Sequence, residues 1–406
     1  MKEVLDFGKM ALAGAFLKKN KFKFEKKYKM RLYFCLSCKS LQIIDKINPK
    51  VLFQNYFYYS STINSLKEHF ISYSKFLYEL IKKNNFKSIL EIGCNDYVLL
   101  KPLSKKKINL IIGVDPALNQ KNSNIIGIKD FFNYSLSKKI KKKYSEIDLI
   151  VANNVFAHIS DINDITRGVK NLLSENGIFI LEVHYMKSII KNTQFDMIYH
   201  EHIYYYSVLS LYNHFKQHDL YLYDVNFIKN HGGSIRAFVS KNINSEDRKQ
   251  GHKKTLNLIK NETKQKLHSL STFKNFTKNV LNISNNLREF VNIHTKKGKI
   301  FYAYGASGRA NTVLQFCNFN ESLINYIVDD SKYKQGYFTP GTHIPIVDRS
   351  ILYKENSMPD YVIVFAWTFL KEVLLKNKKY ILRGGTFIIP LPKLKLITKR
   401  NYSNFI

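Results

Sequence analysis

"EIGCNDYVLL", residues 91–100, begins where the apolar run SIL at 88–90 ends. SILEI reads as a strand, Gly93 and Asn95 as the tight turn after it, and the residues beyond as a helix. A strand running into a small-residue turn and then a helix is the opening unit of a nucleotide-binding α/β domain. A third small residue is expected at the mouth of that helix, and Tyr97 stands there instead. If that position needs a positive φ or abuts a ligand, a tyrosine there costs strain or blocks the site.

The pattern continues on both sides. A helix from residue 76 (SKFLYELIKKNN) leads into SILEI, and strand NLIIGVD ends at Asp115. IDLIVANN is the next strand, GVKNLLSENG reads as a helix closing on Gly177, and GIFILEVHY is another buried strand. Apolar strands alternating with helices at this spacing predict an α/β fold with a doubly wound, Rossmann-like parallel sheet. From about 245 the chain turns polar with a helical period. KIFYAYGASGRANTVLQF then restarts the strand–turn–helix pattern, followed by strands INYIVDD, DYVIVFAW and GGTFIIPLP. The expected organisation is a small N-terminal domain (1–75), a central α/β domain (76–245), a helical connection (246–297) and a smaller C-terminal α/β domain (298–406).

A chain of 406 residues, 45% hydrophobic, holds enough apolar material for several cores. No apolar run reaches the roughly 18 residues of a membrane span, and MKEVLDFGKM has no signal-peptide anatomy. A soluble, cytoplasmic protein is expected, a monomer with no membrane insertion. Four cysteines argue against a disulfide framework. The net charge of +33 raises nucleic acid as a partner. However, the lysines are dispersed in short runs, in a chain rich in Lys, Asn, Ile, Tyr and Phe. That is the bias of an AT-rich genome, so no nucleic-acid partner is expected, although the charge favours an anionic substrate.

Five stretches carry chemistry. In the first, Asp115 lies about 20 residues beyond the turn, where an acid at the end of the second strand accepts hydrogen bonds from a ribose. NAD and S-adenosylmethionine both use this arrangement. In IDLIVANNVFAHISD (148–161), Asn153 and Asn154 bring amides to the lip of the same cleft, or simply end the strand. In FDMIYHEHIYYYS (195–207), two histidines flank Glu201 among tyrosines. Imidazole suits proton transfer near neutral pH. Convergence of His184, His200 and His202 on a metal is an alternative, but H-E-H lacks the spacing that puts two imidazoles on one helix face. In HGGSIR (231–236), paired glycines allow close backbone approach and Arg236 can clamp a phosphate or carboxylate. YGASGRAN offers a helix start and the charge of Arg309 to a nucleotide diphosphate.

EIGCNDY, GVDPALN, DLIVANNVFAHISD, YHEHIYYYS, HGGSIR, YGASGRANT, VDDSKYKQG, PGTHIPI and PDYVIVFAW follow one another in a single order. In that order, from Phe7 to Pro390, the chain resembles the S-adenosylmethionine-dependent C-methyltransferases of nucleotide-linked keto-deoxysugars. The resemblance implies a zinc-binding N-terminal domain, a class I methyltransferase domain and a C-terminal domain that helps hold the nucleotide sugar. It places Gly93, Asn95, Asp115, Asn153 and Asn154 at the S-adenosylmethionine site. Tyr199, His200, Glu201 and His202 would line the reaction centre, with His202, and Glu201 beside it, as proton-transfer groups. Tyr59, His184, Tyr185, His231, Arg236, Ser307, Arg309 and Asn311 would face the sugar nucleotide, with a TDP-linked sugar as the type of partner.

Three departures stand out. The family's first C-x₂-C pair has no counterpart here, and Cys35 and Cys38 alone do not complete a tetrahedral zinc site. Arg309 and Ala310 replace a Lys and a Gly, and Tyr97 replaces a glycine. The ring of Tyr97 is expected to turn aside from the cofactor turn. Two other readings compete with the enzyme: a non-catalytic relative that only binds nucleotide sugar, and a basic RNA-binding or RNA-modifying protein.

Overall fold

All five residues of SILEI are buried, as the centre of a parallel sheet covered on both faces requires. The computed structural model describes residues 1–48, 51–52, 64–354 and 358–406. The N-terminal strands are β1 (Lys2–Ala11), β2 (Lys27–Phe34) and β3 (Leu41–Ile43). Helix α1 (Asn64–Asn84) precedes the central strands β4 (Ser88–Ile92), β5 (Leu110–Val114), β6 (Ile126–Ile128), β7 (Ile147–Asn153), β8 (Leu173–His184), β9 (Tyr204–Tyr205), β10 (Tyr221–Ile228) and β11 (Ser234–Ser240). Seven of these form one sheet in the order β10-β11-β8-β7-β4-β5-β6, reversing direction on either side of β4. β4 through β8 run parallel, and β11 lies antiparallel between β8 and β10.

Helices α2 (Glu246–Lys264) and α3 (Leu270–Lys296) occupy the polar connection. The C-terminal sheet then uses β12 (Phe301–Tyr304), helix α4 (Gly308–Phe316), β13 (Tyr326–Val328), β14 (Ile346–Val347), β15 (Tyr361–Val364), β16 (Thr386–Ile389) and β17 (Lys395–Ile397), in the order β14-β13-β12-β15-β16-β17.

Two elements depart from the reading of the sequence. The helix expected from residue 76 begins at Asn64, because Leu66, Phe70, Tyr73, Leu77 and Ile81 recur at helical spacing and pack on one face of the sheet. The residue-75 boundary therefore falls inside α1. The helix expected to close on Gly177 ends at Leu172, and Leu173 is already extended with φ −64° and ψ 134°. SENG belongs to the start of β8, where Gly177 sits against the Asp148 carbonyl with no room for a side chain.

The N-terminal domain does not stand apart. β9, two residues from the YHEH stretch, pairs with β3 and so closes the N-terminal sheet. One core joins Leu5 and Phe34 of that sheet to Phe195, Ile198 and Tyr205, to Val280 of α3, and to Phe301 and Val313 of the C-terminal domain. Segment 195–205 is thereby packed between three units.

Tyr97 has φ +63°, in the left-handed region that a glycine occupies without strain. Its side chain is 1% exposed and sits in the core among Leu99, Ile111, Leu118 and Ile125. Space for the ring comes from two glycines on neighbouring strands. A Cβ on Gly113 would stand 2.7 Å from Tyr97 Cε1, and one on Gly127 would overlap the phenol oxygen. The ring is thus a core element behind the turn, and burial offsets the local strain. Tyr97→Ala should lower stability by about 3 kcal/mol through the cavity left behind, seen as a lower urea midpoint. A midpoint within error of the native protein would show that the ring is not packed in this way.

Candidate active site

The turn after β4 is built by backbone geometry. Gly93 has φ +72°, and a Cβ there would overlap a methyl of Val155. The Gly93 N–H donates to the Val114 carbonyl at 2.7 Å. The Asn95 N–H donates to Asp115 Oδ2 at 3.0 Å, while Asp115 Oδ1 accepts from the Ala117 N–H at 2.8 Å. Asp115 is 9% exposed, and burial raises its carboxyl above the usual range against the pull of those two bonds. Across the strand ends, Asn153 Nδ2 donates to Glu91 Oε1 at 3.3 Å. Glu91 Oε2, Asn153 Oδ1 and Asn154 Oδ1 are buried with no partner among the described residues. Each such atom costs about 1–3 kcal/mol when left unsatisfied. Burial also pushes Glu91 up to about 8. An amino-acid-bearing nucleoside such as S-adenosylmethionine fits here, since it would bring donors to these oxygens and hydroxyls to Asp115. Glu91 was not among the residues expected from the sequence, although its place two residues before Gly93 marks it.

A second cluster lies at the far ends of β7 and β8. His202 Nδ1 stands 2.8 Å from the Met197 carbonyl, which can only accept, so Nδ1 carries the proton. Nε2 is then the acceptor, and the Tyr199 hydroxyl donates to it at 2.9 Å. The ring of His202 lies 5.0 Å from that of His184 and 4.8 Å, edge to face, from that of His158. Burial drives His158 down to about 4, so it is neutral at working pH and puts no like charge beside His202. His158 is visible in the sequence as the histidine closing VFAH, but nothing local marks it as facing the reaction centre.

Glu201 is buried against the backbone of Gly14, where a Cβ would come 2.7 Å from its Oε1. Burial pushes its carboxyl up to about 7. His200 is placed elsewhere. Its Nε2 meets the Lys29 carbonyl of β2 at 3.1 Å, so it anchors the N-terminal sheet instead of joining the His184–His202 pair. Among the described residues no group of three or more His, Cys, Asp or Glu is disposed to hold a metal, and His200 does not converge with His184 and His202.

The expected anion clamps are already paired. Arg236 donates through Nε to Glu182 Oε1 at 2.8 Å and lies 3.6 Å over the Tyr73 ring, while His69 takes the other Glu182 oxygen at 2.9 Å. Arg309 donates through Nε to Asp196 Oδ2 at 2.8 Å and stacks on Trp367. A buried arginine needs such a counter-charge, so each guanidinium is committed in part to holding a carboxylate of the central domain. Tyr185 also turns away, donating to Glu262 Oε1 at 2.9 Å. Ser307 caps α4 by accepting from the Ala310 N–H, and Asn311 Nδ2 holds the Ala13 carbonyl. Of the expected substrate-side residues whose side chains are described, His184 is the one whose ring lies beside His202. The C-terminal turn does reach it: a Cβ on Gly308 would stand 3.3 Å from the Tyr199 ring. Tyr59 and the side chain of His231 lie outside the described residues.

Cys35 and Cys38 face each other across a tight turn, with the Cys38 N–H 3.4 Å from Cys35 Sγ. Cys38 Sγ lies 3.1 Å from Ser40 Oγ, and the amide of Gln42 points at it. Two thiols with no third ligating side chain among the described residues do not make the closed four-ligand shell of structural zinc.

Three family models match the chain in succession. Residues 1–53 match a "Putative zinc binding domain", 67–225 a methyltransferase domain and 229–392 a C-methyltransferase C-terminal domain. C-methyltransferase NovU of Streptomyces niveus is 29% identical over 401 residues, covering 98% of this chain and 94% of that protein. A ubiquinone biosynthesis O-methyltransferase of Azorhizobium caulinodans is 26% identical over 98 residues, 23% of this chain and 38% of its own. Among solved structures, the plantazolicin methyltransferase BpumL aligns with a TM-score of 0.34 and 15% identity, over 43% of this chain and 85% of that one.

Two outcomes are expected from this geometry. A carboxyl raised from 4.5 to about 7 favours folding below pH 4.5 and loses that contribution as pH climbs to 7. Glu201→Gln should therefore melt above the native protein at pH 8 and close to it at pH 4.5; equal melting at both would show that Glu201 is not held protonated by burial. Metal analysis of the purified chain should give well under one zinc per molecule, and a stoichiometric value would overturn the reading of the cysteine pair.

Proposed function

We infer that this chain, which belongs to the S-adenosylmethionine-dependent C-methyltransferases, methylates the carbon next to the keto group of a nucleotide-linked deoxysugar. Its central sheet is that of a class I methyltransferase, and its cofactor is S-adenosylmethionine. The observation that carries the proposal is the chain Met197 carbonyl–His202–Tyr199, which leaves a neutral imidazole lone pair at Nε2 beside the cofactor-bearing strand ends.

The chemistry follows from that tautomer. A carbon next to a ketone becomes nucleophilic only on losing a proton, and Nε2 of His202 would accept it. The electrons move onto the ketone oxygen, giving an enolate. An imidazole alone is too weak a base for this, so the developing oxyanion needs a donor aimed at it. The Tyr199 hydroxyl, which donates to Nε2 of His202 at 2.9 Å, would turn its proton from Nε2 to the ketone oxygen as the substrate enters, freeing the imidazole to act as base. Bound S-adenosylmethionine supplies an electrophilic methyl on a sulfonium. The residues of the Gly93 turn and the Asn153–Asn154 lip would hold it, with Asp115 and Glu91 set for the ribose and the amino-acid end. Alignment of the two reactants then provides much of the remaining acceleration.

The nucleotide would lie along the C-terminal turn, whose Gly308 abuts Tyr199. With Arg236 and Arg309 paired, its phosphates would be met by backbone N–H groups and not by a free guanidinium. The methylated sugar would serve surface polysaccharide or glycan synthesis. Tyr97, the residue that favours a non-catalytic relative, is packed in the core, which speaks against its ring lying over the turn.

His202→Ala should bind S-adenosylmethionine with unchanged affinity by calorimetry, yet lose roughly 10²- to 10⁴-fold in turnover. Turnover is read by mass spectrometry with labelled cofactor and a panel of nucleotide-linked keto-sugars. Undiminished methyl transfer by the variant would remove His202 as the base, and absence of cofactor binding by the native chain would remove the enzyme.

A further inference from the structure

Asp196 lies three residues before Tyr199 and is 1% exposed. Among the described residues, its side-chain hydrogen bonds go to the C-terminal domain: Oδ2 accepts from Arg309 Nε at 2.8 Å and from the indole N–H of Trp367 at 2.9 Å. A second Arg309 nitrogen stands 2.6 Å from the same oxygen. The neighbouring backbone is fastened to the same helix, since Thr312 Oγ1 of α4 donates to the Ile198 carbonyl at 3.1 Å. Between these two anchors lies Met197, whose carbonyl accepts the Nδ1 proton of His202 and, at 3.3 Å, the Tyr205 hydroxyl.

We propose that Asp196 is a positioning residue: its buried ion pair with Arg309, shared with Trp367, aims the Met197 carbonyl at His202 and so selects the tautomer with an unprotonated Nε2. The C-terminal domain thereby does more than hold a nucleotide. It sets the protonation geometry of the reaction centre through a side chain of the central domain. The physical reason is that a neutral imidazole has two tautomers of similar energy, and the hydrogen bond at one nitrogen decides which is present. A carbonyl held on Nδ1 leaves Nε2 to accept, whereas a displaced carbonyl lets the proton move to Nε2 and removes the base.

The proposal rests on His202 acting as base, but its test needs no sugar. Proton–nitrogen correlation spectra of the histidine-labelled full chain, with the His202 signal identified from His202→Ala, should show His202 as one Nδ1–H tautomer. Asp196→Ala should give a mixture of tautomers at His202, while His214, hydrogen-bonded to Thr166 elsewhere in the fold, keeps its signal. Because that variant leaves Arg309 buried without its counter-charge, Asp196→Leu/Arg309→Met is made in parallel. It removes both charges together, which commonly spares the fold, and should give the same mixture. With a turned-over substrate, kcat should fall roughly 100-fold while the KM for S-adenosylmethionine holds. A single Nδ1–H tautomer retained in both variants would overturn the proposal. Loss of tautomer control alongside an absence of methyl transfer in the native chain would instead leave the proposal standing and remove the functional reading.

Discussion

A buried carboxylate, Asp196, makes the joint on which the arrangement of domains depends. Its bonds to Arg309 and Trp367 fix the start of segment 195–205 on the C-terminal domain. His200, on the Lys29 carbonyl, and β9, paired with β3, fix the rest of that segment to the N-terminal sheet. Breaking one partner of such a pair costs about 3–5 kcal/mol, because the other charge stays buried. Tyr199 and His202, the proposed acid–base pair, ride on this segment, so their geometry is a property of three packed units and not of the central domain alone.

The same rule governs the positive charge of the molecule. Most of the lysines that give the net charge of +33 are solvated on the surface. The two arginines placed deepest near the cleft, Arg236 and Arg309, are each matched to a carboxylate that is 2% exposed. Charge near the site is thus spent on holding elements together, and polar recognition is left to amides, hydroxyls and neutral imidazoles. Burial also keeps titratable groups there uncharged: it lowers the His158 imidazole to about 4 and raises the Glu91 carboxyl to about 8. A neutral, desolvated surround would suit the enolate of the proposed reaction, whose charge would be met by donors aimed at it.

Much of the architecture was legible in the chain. SILEI, NLIIGVD, IDLIVANN and GIFILEVHY are read as strands and are strands, because apolar runs bounded by small or polar residues have few other ways to be buried. Boundaries were less legible. Nothing within GVKNLLSENG tells that the helix stops at Leu172, since the stop comes from pairing of Leu173 with Ile147 in the neighbouring strand. Tyr97 reads as an obstacle only while its neighbours are unknown; Gly113 and Gly127, distant in sequence, make its pocket.

The sequence by itself determined which residue types stand at the strand ends: an acid after the second strand and two amides after the next, with a run of tyrosine and histidine further along the chain. Periodicity and turn chemistry are local, so they survive without coordinates. The direction of each side chain was decided by tertiary structure. His200 and His202 are two residues apart and chemically identical, yet one meets the Lys29 carbonyl and the other meets Tyr199. Arg236 and Arg309 look like free cations in one dimension and are counter-ions in three. A side chain's partner, and with it its charge and tautomer, depends on groups that only folding brings within hydrogen-bonding distance.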